Sequence, residues 1–298
     1  MKGIKATRQV TKAMELVAAS TMRRAVSSAV ILRRYALASW HILLRVGKKN
    51  PQMHPALCSR PVKKVLGILF TSDRGLTGSM GTQILKTTAE YIASLKGIPT
   101  FESIDFIVLG RRGQQFLARS GQQVIGAFPA FSNHPKLRDI APIAKMASDA
   151  FQAGTHDHVA LIFPDFISAL AQKPTVKVLL PFSDSGLREM IKSLGVNPES
   201  VRSETELQIA EGSAQYLFEP SESVVLDAAL SQITELQIYQ ALLEAVASEH
   251  SARMVAMRSA TDNASEILDD LTLTYNRTRQ ANITSELAEL SASKAALE

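Results

Sequence analysis

The sequence predicts an α/β protein: a long antiparallel coiled coil of the N- and C-terminal helices, plus an open Rossmann-like α/β domain between them. Three observations predict it. All twelve prolines lie between Pro51 and Pro220, and no glycine follows Gly212. Both ends carry small or apolar residues at alternating steps of three and four. The middle alternates short apolar runs with amphipathic stretches. The expected boundaries are 1–55 for the first helix, 62–215 for the globular part and 220–298 for the last helix.

The last stretch comes first because it is the least ambiguous. Proline and glycine cost a helix interior most, and their absence permits one unbroken helix. His250, Met254, Met257, Thr261, Ala264, Leu268, Leu271, Tyr275 and Thr278 recur with a 3.5-residue period, the mark of a left-handed coiled coil. At 1.5 Å per residue such a helix reaches on the order of 100 Å, too long to bury itself within one globule. It needs partners. Residues 1–50 read as a second long helix, with Thr7, Val10, Met14, Val17, Thr21, Ser28, Ile31 and Tyr35 in the same alternation and Arg24 breaking the seam. The two helices are expected to wind antiparallel around each other.

Charge points the same way. Residues 1–50 carry eleven Lys or Arg against the single acid Glu15, whereas residues 221–298 carry five basic and twelve acidic side chains. A basic segment alone would suggest nucleic acid or an anionic membrane. With an acidic, equally helical far end, pairing of the two ends is the simpler account.

Between the ends, Pro51, Pro55 and Pro61 mark a linker. Residues 65–70 form a continuous apolar run, as a buried parallel strand requires. A helix is expected over 79–96, a strand over 106–109, a helix over 111–120, a strand over 123–128, a helix over 137–153 and a strand over 159–163. Residues 176–180 read as a last strand, antiparallel after a turn at Lys173-Pro174. Residues 183–215 are polar and poorly periodic, with a short helix over 186–194.

No run approaches eighteen uncharged apolar residues, so no membrane-spanning helix is expected. The start is basic and lacks the apolar core of a secretory signal; an Arg-rich amphipathic targeting peptide stays open. The single cysteine, Cys58, excludes an internal disulfide and fits a reducing compartment.

Catalytic chemistry is hard to place. The turn after the first apolar run carries Gly75, Gly78 and Gly81, but its G-x-x-G-x-x-G spacing is not the dinucleotide fingerprint, and no phosphate-binding G-x-x-x-x-G-K-[ST] occurs. A structural turn in which Asp73 and Arg74 hold or present the loop is expected, with no cofactor. His156 and His158 lack a third metal ligand and read as solvent-facing loop residues. No Ser-His-Asp or Cys-His arrangement can be placed. Near the end, Arg277, Arg279, Gln280 and Thr284 lie on the helix, with Gln280 and Thr284 four apart on one face. Beyond them Leu287, Leu290, Ala295, Ala296 and Leu297 make an apolar tip, suited to a partner's cavity.

Three blocks carry a resemblance to a known family. The first runs from Ile4-Lys-Ala-Thr-Arg-Gln-Val through Met14-Glu-Leu-Val-Ala-Ala-Ser20 to Met22-Arg-Arg24. The second is Ser72-Asp-Arg-Gly-Leu76. The third runs from Ser248-Glu-His-Ser-Ala-Arg-Met254 through Ala260-Thr-Asp-Asn-Ala264 and Tyr275-Asn-Arg-Thr-Arg-Gln-Ala281 to Ile283-Thr-Ser-Glu-Leu287. Gln172-Lys-Pro174, Leu180-Pro181 and Tyr216-Leu-Phe-Glu-Pro220 fall between them in the expected order. Over essentially its whole length the chain resembles the gamma subunit of the rotary ATP synthase.

That resemblance implies a non-catalytic rotor that couples ion-driven rotation to ATP synthesis. Its shaft would stand inside a ring of alpha and beta subunits, with the α/β domain on an epsilon-type subunit and the membrane ring of c subunits. It implies no cofactor, no metal and no nucleic acid, and attachment to the membrane only through the complex. The location would be the inner face of an energy-transducing membrane, bacterial in preference to mitochondrial. The matching positions put Met14 near the coupling region and Arg253, Gln280 and Thr284 in or behind contacts with the catalytic ring. Some residues depart from the pattern. Family members usually have about ten residues before the Ile-Lys block. They have a Gly-Leu-Cys-Gly-type turn where this chain has Gly75-Leu-Thr-Gly78, and Arg-Pro-Tyr where it has Arg33-Arg34-Tyr35. The plant-type redox insertion is absent. The competing readings are a coiled-coil nucleic-acid or scaffold protein, marked by steeply salt-dependent DNA binding, and a nucleotide-dependent α/β enzyme, marked by nucleotide binding at the glycine turn.

Overall fold

A computed structural model describes residues 1–47, 54–58, 60–130, 134–182, 219 and 221–295, the side chains of 33–47, 222, 290–292, 294 and 295 excepted. The helix expected over 186–194, the Tyr216–Pro220 motif apart from Glu219, Pro51 and the tip residues Ala296 and Leu297 lie outside the described residues.

The central sheet has the strand order β3-β2-β1-β4-β5, with β1 Lys64–Phe70, β2 Ser103–Leu109, β3 Gln123–Phe128, β4 His158–Phe166 and β5 Gln172–Leu180. The first four are parallel and β5 runs antiparallel to β4. Helices α2 Met80–Lys96, α3 Arg111–Arg119 and α4 Leu137–Gln152 connect the parallel strands. Because strand side chains alternate faces, β1 serves two cores at once. Val65 and Leu69 pack with Ile84, Ile92, Leu95 and Leu117 of α2 and α3. Leu66, Ile68 and Phe70 pack with Ile140, Ile143 and Phe151 of α4 on the other face. Each such side chain is worth about 1.5–3 kcal/mol on burial. The expected turn at Lys173-Pro174 is displaced: the chain reverses at Ser168 to Ala171, and Pro174 sits inside β5 opposite Pro164. An edge strand tolerates proline because one side of it needs no ladder hydrogen bond.

Helix α1 spans Lys2–Gly47 and α5 spans Glu222–Ala295, 74 residues. Ser221 starts α5, its Oγ accepting from the Val224 N–H at 3.4 Å. The first turns of α5 belong to the globular part. Leu226, Leu230, Ile233, Ile238, Leu242 and Val246 close the α4 face of the sheet. Ser251 Oγ then donates to the Ala169 carbonyl at 2.5 Å, fixing the β4–β5 reversal against the helix. From there α5 leaves the sheet and continues with α1 as its neighbour. The lower half of the expected α5 seam holds: His250, Met257 and Ala264 are buried. Leu271, Tyr275 and Thr278 are exposed instead. The pair is in register where Thr261 Oγ1 donates to Thr11 Oγ1 at 2.8 Å. That register brings the start of α1 level with about Asp270.

The α1 seam also differs from expectation. Met14, Thr21 and Ser28 face inward, but Val10, Val17 and Ile31 are each about 60% exposed. The buried positions are one residue later: Thr11, Ala18, Ala25 and Leu32. Small side chains win the seam because they let the two backbones approach closely, and Arg24, which broke the expected pattern, simply faces outward. No ion pair joins α1 to α5 among the described residues. The basic helix therefore presents Lys2, Lys5, Lys12 and Arg23 to solvent rather than to its acidic partner.

One carboxyl makes the α5–sheet junction pH-sensitive. Glu244 accepts from Gln240 Nε2 at 2.8 Å. Loss of hydration against the β4–β5 pair, with Asp165 adding and Gln240 and Lys177 opposing, pushes it up to about 7. A carboxyl raised on folding stabilises the fold below its unfolded pKa near 4.5 and loses that contribution as pH climbs through about 7. Glu244→Gln is expected to remove this slope. Urea unfolding of wild type minus variant between pH 4.5 and 8 should show wild type losing on the order of 2 kcal/mol relative to the variant. A pH-independent difference would refute the assignment; histidines that titrate in the same window cancel in the subtraction.

Candidate functional site

The candidate side chains fall in two regions: the helix pair with its extension, and the glycine turn at the carboxyl end of β1. In the pair, Met14 is half-buried on the α1 seam. Arg253 is 9% exposed and held within its own helix. Its Nη2 donates to Glu249 Oε1 at 2.6 Å and its Nη1 lies 3.4 Å from His250 Nδ1. Burial, with Arg253 and His134 nearby, lowers the His250 pKa to about 4, so its ring is neutral at ordinary pH and its Nδ1 can accept. Arg24 extends the cluster from α1, with Nη1 3.0 Å from His134 Nε2. Sequence reading names Arg253 but not the Glu249 and His250 contacts that hold it; the i,i+4 spacing of Glu249 and Arg253 is the available signal.

Gln280 and Thr284 lie together on the exposed extension, Thr284 Oγ1 donating to the Gln280 carbonyl at 2.9 Å. The structure does not bring them near Met14 or Arg253; Gln280 lies 27 helical residues (280 − 253) beyond Arg253, about 40 Å along the axis. Every described side chain over 269–289 is exposed, among them Leu273, Tyr275, Ile283 and Leu287.

The glycine turn is a brace for α3. Thr71 Oγ1 donates to the Leu109 carbonyl at 2.8 Å and accepts from the Gly113 N–H at 2.9 Å. Asp73 Oδ1 accepts from the Arg111 N–H at 2.8 Å. The N-terminus of α3 thus already holds an anion, supplied by the chain itself. Gly110, with φ at 93°, lets the chain pass so close that a Cβ there would lie 2.2 Å from the Thr71 carbonyl oxygen. The holding role expected of Asp73 is what the geometry gives.

The histidines differ from expectation. His156 is buried, its Nε2 3.1 Å from Asp105 Oδ2 and its Nδ1 3.2 Å from Thr155 Oγ1. His158 is largely withdrawn from water, and that burial lowers its pKa. Neither is a free loop residue. The Thr155–His156–Asp105 chain lies at the amino ends of the strands, beside Asp157, whose Oδ2 accepts from the Lys64 N–H; it ties β1, β2 and β4 together. No group of three or more potential metal ligands occurs among the described residues, and no described helix is long and apolar enough to cross a membrane.

Comparison with known proteins bears on the whole chain. A family model described as ATP synthase matches residues 1–297. The ATP synthase gamma chain of Roseiflexus castenholzii is 38% identical over 300 residues, covering 100% of this chain and 96% of the relative. That of Legionella pneumophila strain Corby is 34% identical over 298 residues, with the same coverage. The central stalk and c-ring structure of the Tetrahymena thermophila mitochondrial ATP synthase contains a chain matching with a TM-score of 0.59 at 23% identity, over 85% of this chain and 99% of that one. A chain of the Euglena gracilis enzyme, from its OSCP, F1 and c-ring structure, matches at 0.57 and 15% identity, over 99% and 91%. At these identities the structural likeness is one of fold.

Proposed function

The chain belongs to the ATP synthase gamma chains, and from that membership we propose how its geometry performs the central-stalk rotor role in ATP synthesis. The observation that carries the reading is the run of α5 over 269–289, about 30 Å along the axis, whose side chains are all exposed. A lever of this kind does nothing in water. Inside a ring of subunits it biases whichever neighbour its apolar flank touches. A difference of 1.4 kcal/mol between two contact states is enough to change a neighbour's conformational ratio tenfold.

The hosts that fit are the alpha and beta subunits of the catalytic head. The exposed Lys2, Lys5, Lys12 and Arg23 of α1 suit acidic loops on such a host. The sheet domain, fixed to the same helix at Ser251 and through the α5 core positions, is the handle by which an epsilon-type subunit and the membrane ring of c subunits turn the shaft. The chain supplies no bond chemistry: its polar clusters brace helices and strands. It sits on the inner face of an energy-transducing membrane and touches that membrane only through the complex. In this reading Met14 and Arg253 set the stiffness of the shaft where it leaves the sheet, and Gln280 and Thr284 touch the ring directly.

Gln280→Ala combined with Thr284→Ala tests the contacts. Both side chains are exposed and their one bond is local, so the thermal midpoint of the chain should stay within a degree or two. ATP synthesis by the assembled complex should fall severalfold, the loss of one or two exposed polar contacts at about 1 kcal/mol each. Undiminished synthesis at normal assembly would remove both residues from the contact set.

A further inference from the structure

We propose that the space over Gly81, at the N-terminus of α2, is a binding site for a phosphate-class oxyanion. The site is separate from the α3 terminus that Asp73 occupies. Three independent features meet there.

The first is an arginine without a partner. Arg112 is half-buried and makes no hydrogen bond or ion pair among the described residues. Its Nη1 lies 2.7 Å from where a Cβ on Gly81 would be, and its Nη2 lies 3.2 Å from the same point on Gly75. A Cβ at 81 would displace the guanidinium from this position. The second is the helix end itself. Helix α2 has 17 residues, and its cap residue Ser79 gives no side-chain hydrogen bond to it. A cation placed over the positive end of a helix is unfavourable unless an anion joins it. The third is a buried hydroxyl. Thr77 is 1% exposed, and its Oγ1 has no hydrogen-bond partner. It lies 3.8 Å from the same Gly81 point, so hydroxyl and guanidinium share one space. An unpaired buried hydroxyl costs about 1–3 kcal/mol.

One oxyanion answers all three. It pairs with the guanidinium, accepts from the Thr77 hydroxyl once the guanidinium shifts to admit it, and meets the Gly81 N–H, the one donor of the first turn of α2 that makes no backbone hydrogen bond among the described residues. The position suits a ligand. The space opens on a narrow cavity of about 30 Å³ at the carboxyl ends of the strands, between β1 and β4, where the strand order reverses. Open α/β sheets hold their ligands at that crevice. One carboxylate, Glu249, stands on the α5 wall of the cavity, and its charge is met by Arg253 at 2.6 Å. The ligand class is inorganic phosphate or the terminal group of a phosphate monoester.

The test titrates inorganic phosphate into the full-length chain in chloride buffer, read by amide and arginine side-chain NMR. Saturable shifts are expected at residues 77–81 and at Arg112, with a midpoint of about 1 mM. Arg112→Gln should raise that midpoint about tenfold or more, and Arg112→Lys should restore part of it. Thr77→Val should act with opposite signs: a higher unfolding temperature without phosphate, because the unpaired hydroxyl is gone, and a severalfold weaker phosphate midpoint. Replacing phosphate by ADP separates the sources: an equal midpoint means the phosphate group alone is read, a tenfold tighter one means that a nucleotide carries it. Linear shifts that chloride reproduces, or an unchanged midpoint in a folded Arg112→Gln chain, overturn the site. So does Arg112→Gln weakening only subunit assembly, which would mark an acidic neighbour in place of an oxyanion.

Discussion

Ala18→Arg is expected to open the helix pair, while Val17→Arg, one residue earlier, leaves it closed. Ala18 is 1% exposed on the α1–α5 seam, and Val17 is 60% exposed on the outer face. An arginine at 18 must displace the facing helix and bring an unpaired charge into a closed seam. Overpacking costs about 1–3 kcal/mol, and an unpaired charge in a closed seam several more, so a total of about 3–5 kcal/mol is expected. At 17 the same side chain extends into water beside an already basic surface and costs less than about 0.5 kcal/mol. Hydrogen exchange of the full chain is the measurement. Amides over 8–32 and 250–268 should lose protection in the Ala18 variant and keep it in the Val17 variant, while the sheet amides stay protected in both. If Val17→Arg proved the damaging one, the seam assignment would be wrong.

That pair of neighbours also shows what the sequence could and could not reveal. The heptad repeat of α1 was legible, because Met14, Thr21 and Ser28 recur every seven residues and face inward. The other half of the seam was placed one residue early, at Val10, Val17 and Ile31. Hydrophobicity favoured the valines, but a seam built for close approach favours Thr11, Ala18 and Ala25. The larger side chains are left outside, exposed on the outer face of the helix. The same physics hid the end of the α5 seam. Leu271 and Tyr275 keep the spacing of a coiled coil but are exposed, and a spacing rule cannot tell a covered seam from an open one.

In the globular part the parallel strands were legible as apolar runs, because burial on both faces leaves no alternation to misread. The last reversal was not. Lys173-Pro174 has the composition of a turn, yet β5 absorbs it at the sheet edge. The histidines misled for a different reason. Asp105 lies 51 residues from His156 in sequence, so the pairing that buries the ring depends on the β1–β2–β4 register and on nothing local. Arg112 was equally invisible: only the fold carries the start of α3 over the start of α2.

Deleting the chain after Leu271 is expected to leave the protein folded and to disable it. The described side chains removed are all exposed, so no burial is lost. The helix they form has little reason of its own to persist. About 25 unpaired residues make a marginal helix in water. Thr272, Thr278 and Thr284 each donate to the carbonyl four residues back, at 2.7, 2.9 and 2.9 Å, an arrangement that slightly weakens a helix. The order of the extension therefore depends on what surrounds it in the complex, and so does its use. The truncated chain should unfold at the same temperature as the full chain and should still associate through its sheet domain. ATP synthesis by the assembled complex should fall about tenfold or more, since the contacts that distinguish one neighbour's state from another's are gone. Synthesis within a factor of two of normal would mean that the bias is applied lower down, at the Arg253 junction, and that the exposed extension is dispensable.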